Sequence, residues 1–141
     1  MELTNRFIVV DDDPLNNLVC RHIVQKFNKD AQIILFTNPE EALKSIQETF
    51  HDRVEDGGTV MFLDINMPAM SGWEFLEIFE TFGENIHKQF SIYVLSSSID
   101  EGDIEKADKN PFVEGYYSKP LSIQTMKSIH DKHSLSFHAK N

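Results

Sequence analysis

The chain is poor in features that mark several common classes of protein. It has one cysteine in 141 residues, so no disulfide can close within it, and the apolar neighbours Leu18, Val19 and Ile23 mark Cys20 as a core thiol. No apolar run approaches the roughly 18 residues needed to span a membrane, and residues 1–10 lack the charged-then-apolar pattern of a secretion signal. Positive charge is scarce. Thirteen Lys and Arg against 23 Asp and Glu leave a formal net charge of −10, and no stretch offers the basic face that binding to a phosphate backbone requires. Nucleic acid is thereby excluded as a direct partner, and a basic or metal-bearing partner is favoured. The His residues at 22, 51, 87, 130, 133 and 138 stand at no metal-ligand spacing with Cys or acids, so they read as surface or packing residues. No linker divides the chain. It reads as one cytoplasmic domain over residues 3–133 with a flexible tail at 134–141.

Against these absences stands the stretch 59–72, Thr-Val-Met-Phe-Leu-Asp-Ile-Asn-Met-Pro-Ala-Met-Ser-Gly. Apolar or β-branched residues run straight into Asp64, and Met67-Pro68 with Ser71-Gly72 then stop regular structure. This predicts a buried strand with Asp64 at its C-terminal tip. In an open parallel sheet the ligand crevice lies beyond the carboxyl ends of the strands. An acid there faces a ligand, so Asp64 is the candidate reactive group.

The rest of the chain repeats this design. A β-branched run at 6–10 ends in Asp11, Asp12 and Asp13, and Asp13-Pro14 opens a helix with a capping acid and a pre-set first turn. Leu15, Leu18, Val19, His22, Ile23 and Phe27 recur at helical spacing and predict the inward face of that helix, with Asn28 as its stop. A strand at 32–36 precedes a second start signal, Asn38-Pro39-Glu40-Glu41, and a helix facing inward through Ala42, Leu43, Ile46 and Phe50. Residues 51–58 read as a loop. After Asp64 comes an aromatic helix with Trp73, Phe75, Leu76, Ile78, Phe79 and Phe82, ended by Gly83 and followed by a loop. A fourth strand at 91–95 finishes in Ser96, Ser97 and Ser98. The fourth helix, over 99–110, is only weakly periodic, with Ile104 and Ala107 as anchors. A fifth strand at 112–117 ends at Ser118-Lys119-Pro120, and Ser122 caps a last helix bearing Ile123, Met126 and Ile129. From residue 133 the chain reads as a frayed end.

Strand and helix alternate five times, which calls for a flavodoxin-like doubly wound parallel sheet of order 2-1-3-4-5 with five helices on its two faces. Such a sheet collects its strand tips on one edge. Asp11, Asp12, Asp64, Ser96 and Lys119, scattered over the sequence, would then meet in one site suited to phosphate chemistry.

Val9-Val10-Asp11-Asp12, Leu63-Asp64-Ile65-Asn66-Met67-Pro68 with Ser71-Gly72, Ser96 after Val94-Leu95, and Lys119-Pro120 stand in this order after successive strands. In that pattern the chain resembles the receiver domains of two-component response regulators over essentially its whole length. The resemblance implies a stand-alone signalling switch that catalyses only its own phosphorylation and dephosphorylation. Asp64 would accept a phosphoryl group from the phosphohistidine of a sensor histidine kinase or a histidine phosphotransfer protein. Mg²⁺ would be held chiefly by Asp12, by Asp11 through water, by Asp64 and by the backbone carbonyl of Asn66. Ser96 would hydrogen-bond the phosphoryl oxygens, Lys119 would pair with the phosphate, and the peptide bond before Pro120 would be cis. Tyr116 matches the family's aromatic switch, and the output surface would be the fourth helix, fifth strand and fifth helix. No output domain follows the last helix, so the message is expected to pass by contact with a further protein.

Elementary chemistry agrees with these roles. A carboxylate attacks a charged phosphoryl group poorly until that charge is offset, which a divalent cation and a Lys ammonium accomplish together. Clustered acids also repel one another when empty, and Mg²⁺ takes carboxylates, waters and phosphate oxygens. Taken singly, the residues have structural readings: a helix cap for the Asp triplet, a turn for Asp64 and for the serines, a surface cation for Lys119, core packing for Tyr116. Ser96 stands where the family more often has Thr, which keeps the hydroxyl but frees its rotamer. The segments 51–58 and 83–90 are long for this fold and are expected on the side away from the site. Two other classes compete. A haloacid-dehalogenase-like phosphatase wants a second Asp two residues after its nucleophile, where this chain has Asn66. A phosphorylation-independent interaction module would have lost part of the site, and every position is filled. A calcium loop at Asp11–Asp13 fails because the acids are consecutive and no Glu follows at the twelfth position.

Overall fold

The computed structural model describes residues 5–52, 58–98 and 100–139, with side chains to residue 132. Residues 53–57 of the expected 51–58 loop, Ile99 at the expected start of the fourth helix, and the last two residues of the expected tail lie outside the described residues. Local chemistry sets the elements. Asp13 and Asn38 each accept backbone N–H groups from the turn they cap, and a Pro occupies the first turn in both cases. The elements are β1 (Arg6–Val10), α1 (Pro14–Phe27), β2 (Gln32–Phe36), α2 (Pro39–Phe50), β3 (Thr59–Leu63), α3 (Gly72–Glu80), α4 (Glu84–His87), β4 (Phe90–Ser96), α5 (Glu101–Lys109), β5 (Val113–Ser118) and α6 (Ile123–Ala139).

The five strands form one parallel sheet in the order β2-β1-β3-β4-β5, as the alternation requires. On one face α2 and α3 cover Ile8, Val10, Met61, Leu63 and Ile92. On the other, α1 packs against α6 over Phe7, Val9, Val60, Phe62 and Leu95. β3 is buried along its whole length. Each fully buried large side chain contributes about 1.5–3 kcal/mol of transfer free energy, so this central strand is the firmest support a residue at its tip can have.

Two expectations need correction. The first concerns helix number: a short α4 occupies the stretch expected to be a loop at 83–90, so the helix predicted fourth is α5 and the fifth is α6. Gly83 takes φ +91, a conformation that turns the chain between α3 and α4 and strains any residue with a Cβ. The fully buried Gln89 then donates its side-chain amide to the carbonyls of Phe50 (3.0 Å) and Asn85 (2.8 Å), tying α4 to the end of α2.

The second concerns α1. Its buried residues are Asn16, Asn17, Cys20 and Val24, while Leu15 and Leu18 are 69% and 55% exposed and His22 is exposed. The inward face is turned toward the amides because they hydrogen-bond the strand tips. At the C-terminal end the α6 backbone runs to Ala139, and no Pro or Gly after Pro120 interrupts it.

Candidate functional site

The register of the sheet brings the polar tips level. Val10 pairs with both Phe36 and Leu63, and Leu63 pairs with Val94, so Asp11 and Asp64 emerge side by side one residue later. The ladder closes over them through Asp64 N–H to Val10 O (3.0 Å) and Asp11 N–H to Phe36 O (3.1 Å). Ser96 pairs with Ser118, and the next residue, Lys119, donates its backbone N–H to Ser96 O at 2.9 Å. The Lys119–Pro120 peptide bond is cis. Beyond Asp64 the chain must fold sharply back into α3. Gly72 makes this possible, because a Cβ there would lie 2.8 Å from both Asp64 O and Ile65 Cα. Ser71 and Glu74 complete a capping box that fixes where α3 begins.

Asp11, Asp12, Asp64 and Lys119 thus share one edge in contact or near contact, with Asn66 and Ser96 beside them. Carboxylate oxygens of Asp11, Asp12 and Asp64 lie within 4.8 Å of one another, with Asp11 and Asp64 buried and Asp12 exposed. Lys119 Nζ reaches Asp11 Oδ2 at 2.6 Å and Asp64 Oδ2 at 3.6 Å. Asn66 donates its N–H to Asp64 Oδ1 at 3.3 Å. Ser96 is fully buried at the adjoining tip, its Oγ accepting from Ser98 N–H at 3.0 Å. Tyr116 is half-buried and donates its hydroxyl to Ser98 O at 2.8 Å, so it touches the loop after β4 and not the acids.

The electrostatics follow from this crowding. Burial and then the neighbouring Asp11 push the Asp64 carboxyl from 3.8 up to about 6, against the opposing pull of Lys119 and the Asn66 N–H. Burial works to lower the Lys119 ammonium, but its hydrogen bond to Asp11 and the Asp64 and Asp11 charges outweigh it and hold the pKa above the ordinary value. Lys119 is therefore a fixed cation. Burial and the Asp11 charge drive the Cys20 thiol up to about 12, which leaves it unreactive.

Sequence reasoning missed the two amides of α1. Asn16 donates to Asp11 Oδ2 at 2.8 Å, and Asn17 donates to Asp11 O at 3.1 Å and Phe36 O at 3.3 Å. With Asp13 N–H on Asp11 Oδ1 at 2.9 Å, both Asp11 oxygens are engaged. The contacts on the Asp64 oxygens are longer, at 3.3 and 3.6 Å, and Asp12 is exposed. The signal was present as two adjacent amides in the first turn of α1, directly after the Asp triplet. The donor set, all oxygen and mostly carboxylate, fits a hard divalent cation such as Mg²⁺.

Residues 7–131 match the response regulator receiver domain family. The chain belongs to that family. By sequence, this receiver domain is 32% identical over 79 residues to the transcriptional regulatory protein FlgR of Helicobacter pylori, which covers 56% of this chain and 19% of that protein. The chain thus spans about a fifth of the length of the curated relative it matches. By fold, it resembles a two-component response regulator from Cytophaga hutchinsonii at a TM-score of 0.82 and 25% identity, over 94% of this chain and 97% of that one. A response regulator receiver protein from Dyadobacter fermentans gives 0.78 and 26%, over 88% and 93%. The chemotaxis response regulator CheY4 of Vibrio cholerae, at 20% identity and a TM-score of 0.68 over 92% and 98%, shares the fold. Receiver domains are phosphorylation-based signalling switches and not conventional enzymes, and they act with sensor kinases or phosphotransfer proteins. No helix among the described residues is long and apolar enough to cross a membrane.

Proposed function

We propose that this receiver domain, spanning residues 3–133 and working in the cytoplasm, takes a phosphoryl group from a phosphohistidine onto Asp64. The observation that carries the reading is the meeting of a buried carboxylate, two further acids, a fixed ammonium and a buried hydroxyl at one sheet edge. An Asp64 oxygen attacks phosphorus as the phosphorus–nitrogen bond of the donor breaks and its electron pair returns to the imidazole. Lys119 offsets charge on the oxygens and holds Asp11 in place. Ser96, whose oxygen already accepts from Ser98 N–H, keeps its hydroxyl hydrogen for a phosphoryl oxygen. Asp12, Asp64, the Asn66 carbonyl and, through water, Asp11 would hold Mg²⁺, which when bound neutralises charge on the phosphoryl group.

Phosphorylation then draws Ser96 and its loop toward Asp64 and biases the surface of α5, β5 and α6. Tyr116, bonded to that loop at Ser98 O, moves with it. A separate protein reads the altered surface. Incubation with acetyl phosphate and Mg²⁺ is expected to add one phosphoryl group by intact mass, with Asp64→Asn and chelation each abolishing it. An unmodified wild type under these conditions would refute the reading.

A further inference from the structure

A second polar constellation lies beside the site and serves none of the roles described so far. Ser98 Oγ donates to Asp103 Oδ2 at 3.1 Å and accepts from Asp100 N–H at 3.2 Å. The other Asp103 oxygen accepts the indole N–H of Trp73 at 3.2 Å. Lys106 Nζ stands 5.9 Å over the Trp73 ring, a cation–π distance that draws α5 further toward α3. One half-buried carboxylate in the first turn of α5 therefore holds the loop after β4 with one oxygen and the start of α3 with the other. Asp103 is well suited to this, since the helix N-terminus favours its charge and charged acceptors make the stronger hydrogen bonds.

The chain of contacts continues to the candidate phosphoryl site. Ser98 gives its N–H to the buried Ser96 Oγ and its carbonyl to the Tyr116 hydroxyl. The backbone N–H, the carbonyl and the hydroxyl of Ser98 are thus all engaged, and Ser98 cannot follow a turning Ser96 while Asp103 retains it. We propose that Asp103 is a positioning residue that latches the Ser96–Ser98 loop to Trp73 in the phosphoryl-free chain, so that phosphorylation of Asp64 is felt on α3. The latch rests on the reading of Asp64 and Ser96 given above. It adds an outlet on the α3 side to the α5–β5–α6 surface, and it makes Trp73 an internal reporter.

Trp73 is the one tryptophan of the chain, so its emission can be followed without labels. Wild-type protein is titrated with beryllofluoride and Mg²⁺, with occupancy of Asp64 read separately by fluorine NMR. The expected result is an emission change in wild type that tracks occupancy. In Asp103→Ala and in Ser98→Ala the fluorine signal persists while the emission change falls several-fold. Trp73→Phe, which keeps an aromatic ring but removes the indole N–H, is expected to bind beryllofluoride about 5-fold more tightly, because coupling between two events is reciprocal. Should Asp103→Ala not fold, Ser98→Ala carries the test, since it removes a single hydroxyl. An emission change of wild-type size in the Ser98 variant, or unaltered affinity in Trp73→Phe, overturns the latch and leaves the phosphoryl site standing. Absence of a fluorine signal in wild type overturns the site itself and the latch with it.

Discussion

The strands of this domain begin in one chemistry and end in another. At their N-terminal edge, Phe50 and Phe90 rings meet at 4.8 Å, and Phe79 packs edge-on against Phe90 (5.7 Å) and Phe112 (5.5 Å), with His87 between Phe79 and Phe112. At their C-terminal edge, three carboxylates crowd within 4.8 Å of one another, two of them against one ammonium. Dispersion and burial hold the first edge, where many weak contacts add up. The second edge stays in place although its carboxylates repel one another, because β1, β3 and β4, buried along most of their length, fix its backbone. Stability and chemistry are therefore separable along the same strands, and substitutions at the two edges should move them in opposite directions.

The largest effect is expected at the aromatic edge. Phe79 is 1% exposed and touches four other rings, so Phe79→Ala should cost about 3–5 kcal/mol through lost transfer and a cavity. Urea unfolding measures this. The fraction that remains folded should still accept phosphate from acetyl phosphate at the wild-type rate, because the site is at the other end of the sheet. A slowed rate in the folded fraction would show that the two edges are not independent.

At the charged edge, Asp64→Asn should do the reverse, abolishing phosphorylation while raising stability. The folded carboxyl titrates at about 6 against 3.8 for the ordinary group, so between those values the folded chain holds a proton that the unfolded chain has released. Stability of the metal-free protein must then fall as pH rises from about 4 to about 6 and stay lowered above it, by up to about 3 kcal/mol. Asp64→Asn removes this dependence, and chemical denaturation in EDTA at pH 5 and pH 8 checks it. Equal pH profiles for the two proteins would mean that Asp64 is not the strained group.

A smaller loss is expected from Asn17, which ties two neighbouring strand tips together at the charged edge. Its amide holds the carbonyls of Asp11 and Phe36 together, and its own Oδ1 has no protein partner. Asn17→Ala should cost about 1–3 kcal/mol by taking the amide donor from the Asp11 carbonyl, while Phe36 O keeps the Asp11 N–H. Asn17 also shows where sequence was readable and where it was not. The strands and the tips at Asp64, Ser96 and Lys119 were legible because a short apolar run ending in polar residues has one reading in a parallel sheet. The face of α1 was not. Periodicity counts apolar residues, and it assigned Leu15 and Leu18 inward, whereas hydrogen bonds from Asn16 and Asn17 to Asp11 decide the rotation of the helix. The four-residue α4 escaped for a different reason: the buried Gln89 that follows it is held by the end of α2, far away in sequence. The bond from Trp73 to Asp103 spans 30 positions and left no local trace.

The smallest effect on stability carries the sharpest test of what the charged edge is for. Leu15 and Leu18 lie three residues apart on the outer face of α1, directly after Asp11–Asp13, and both are largely exposed. Residues at this spacing are neighbours on a helix surface, so together they form an apolar step beside the acids. A surface Leu contributes little to folding, and Leu18→Ser should change stability by no more than about 0.5 kcal/mol. If the site receives phosphate from a protein donor, the same substitution should slow transfer from a phosphorylated histidine phosphotransfer protein through weaker docking. Acetyl phosphate, too small to touch the step, should react at the wild-type rate. A variant slowed equally with both donors would place the defect in the site, and one slowed with neither would leave the α1 face without a part in donor recognition.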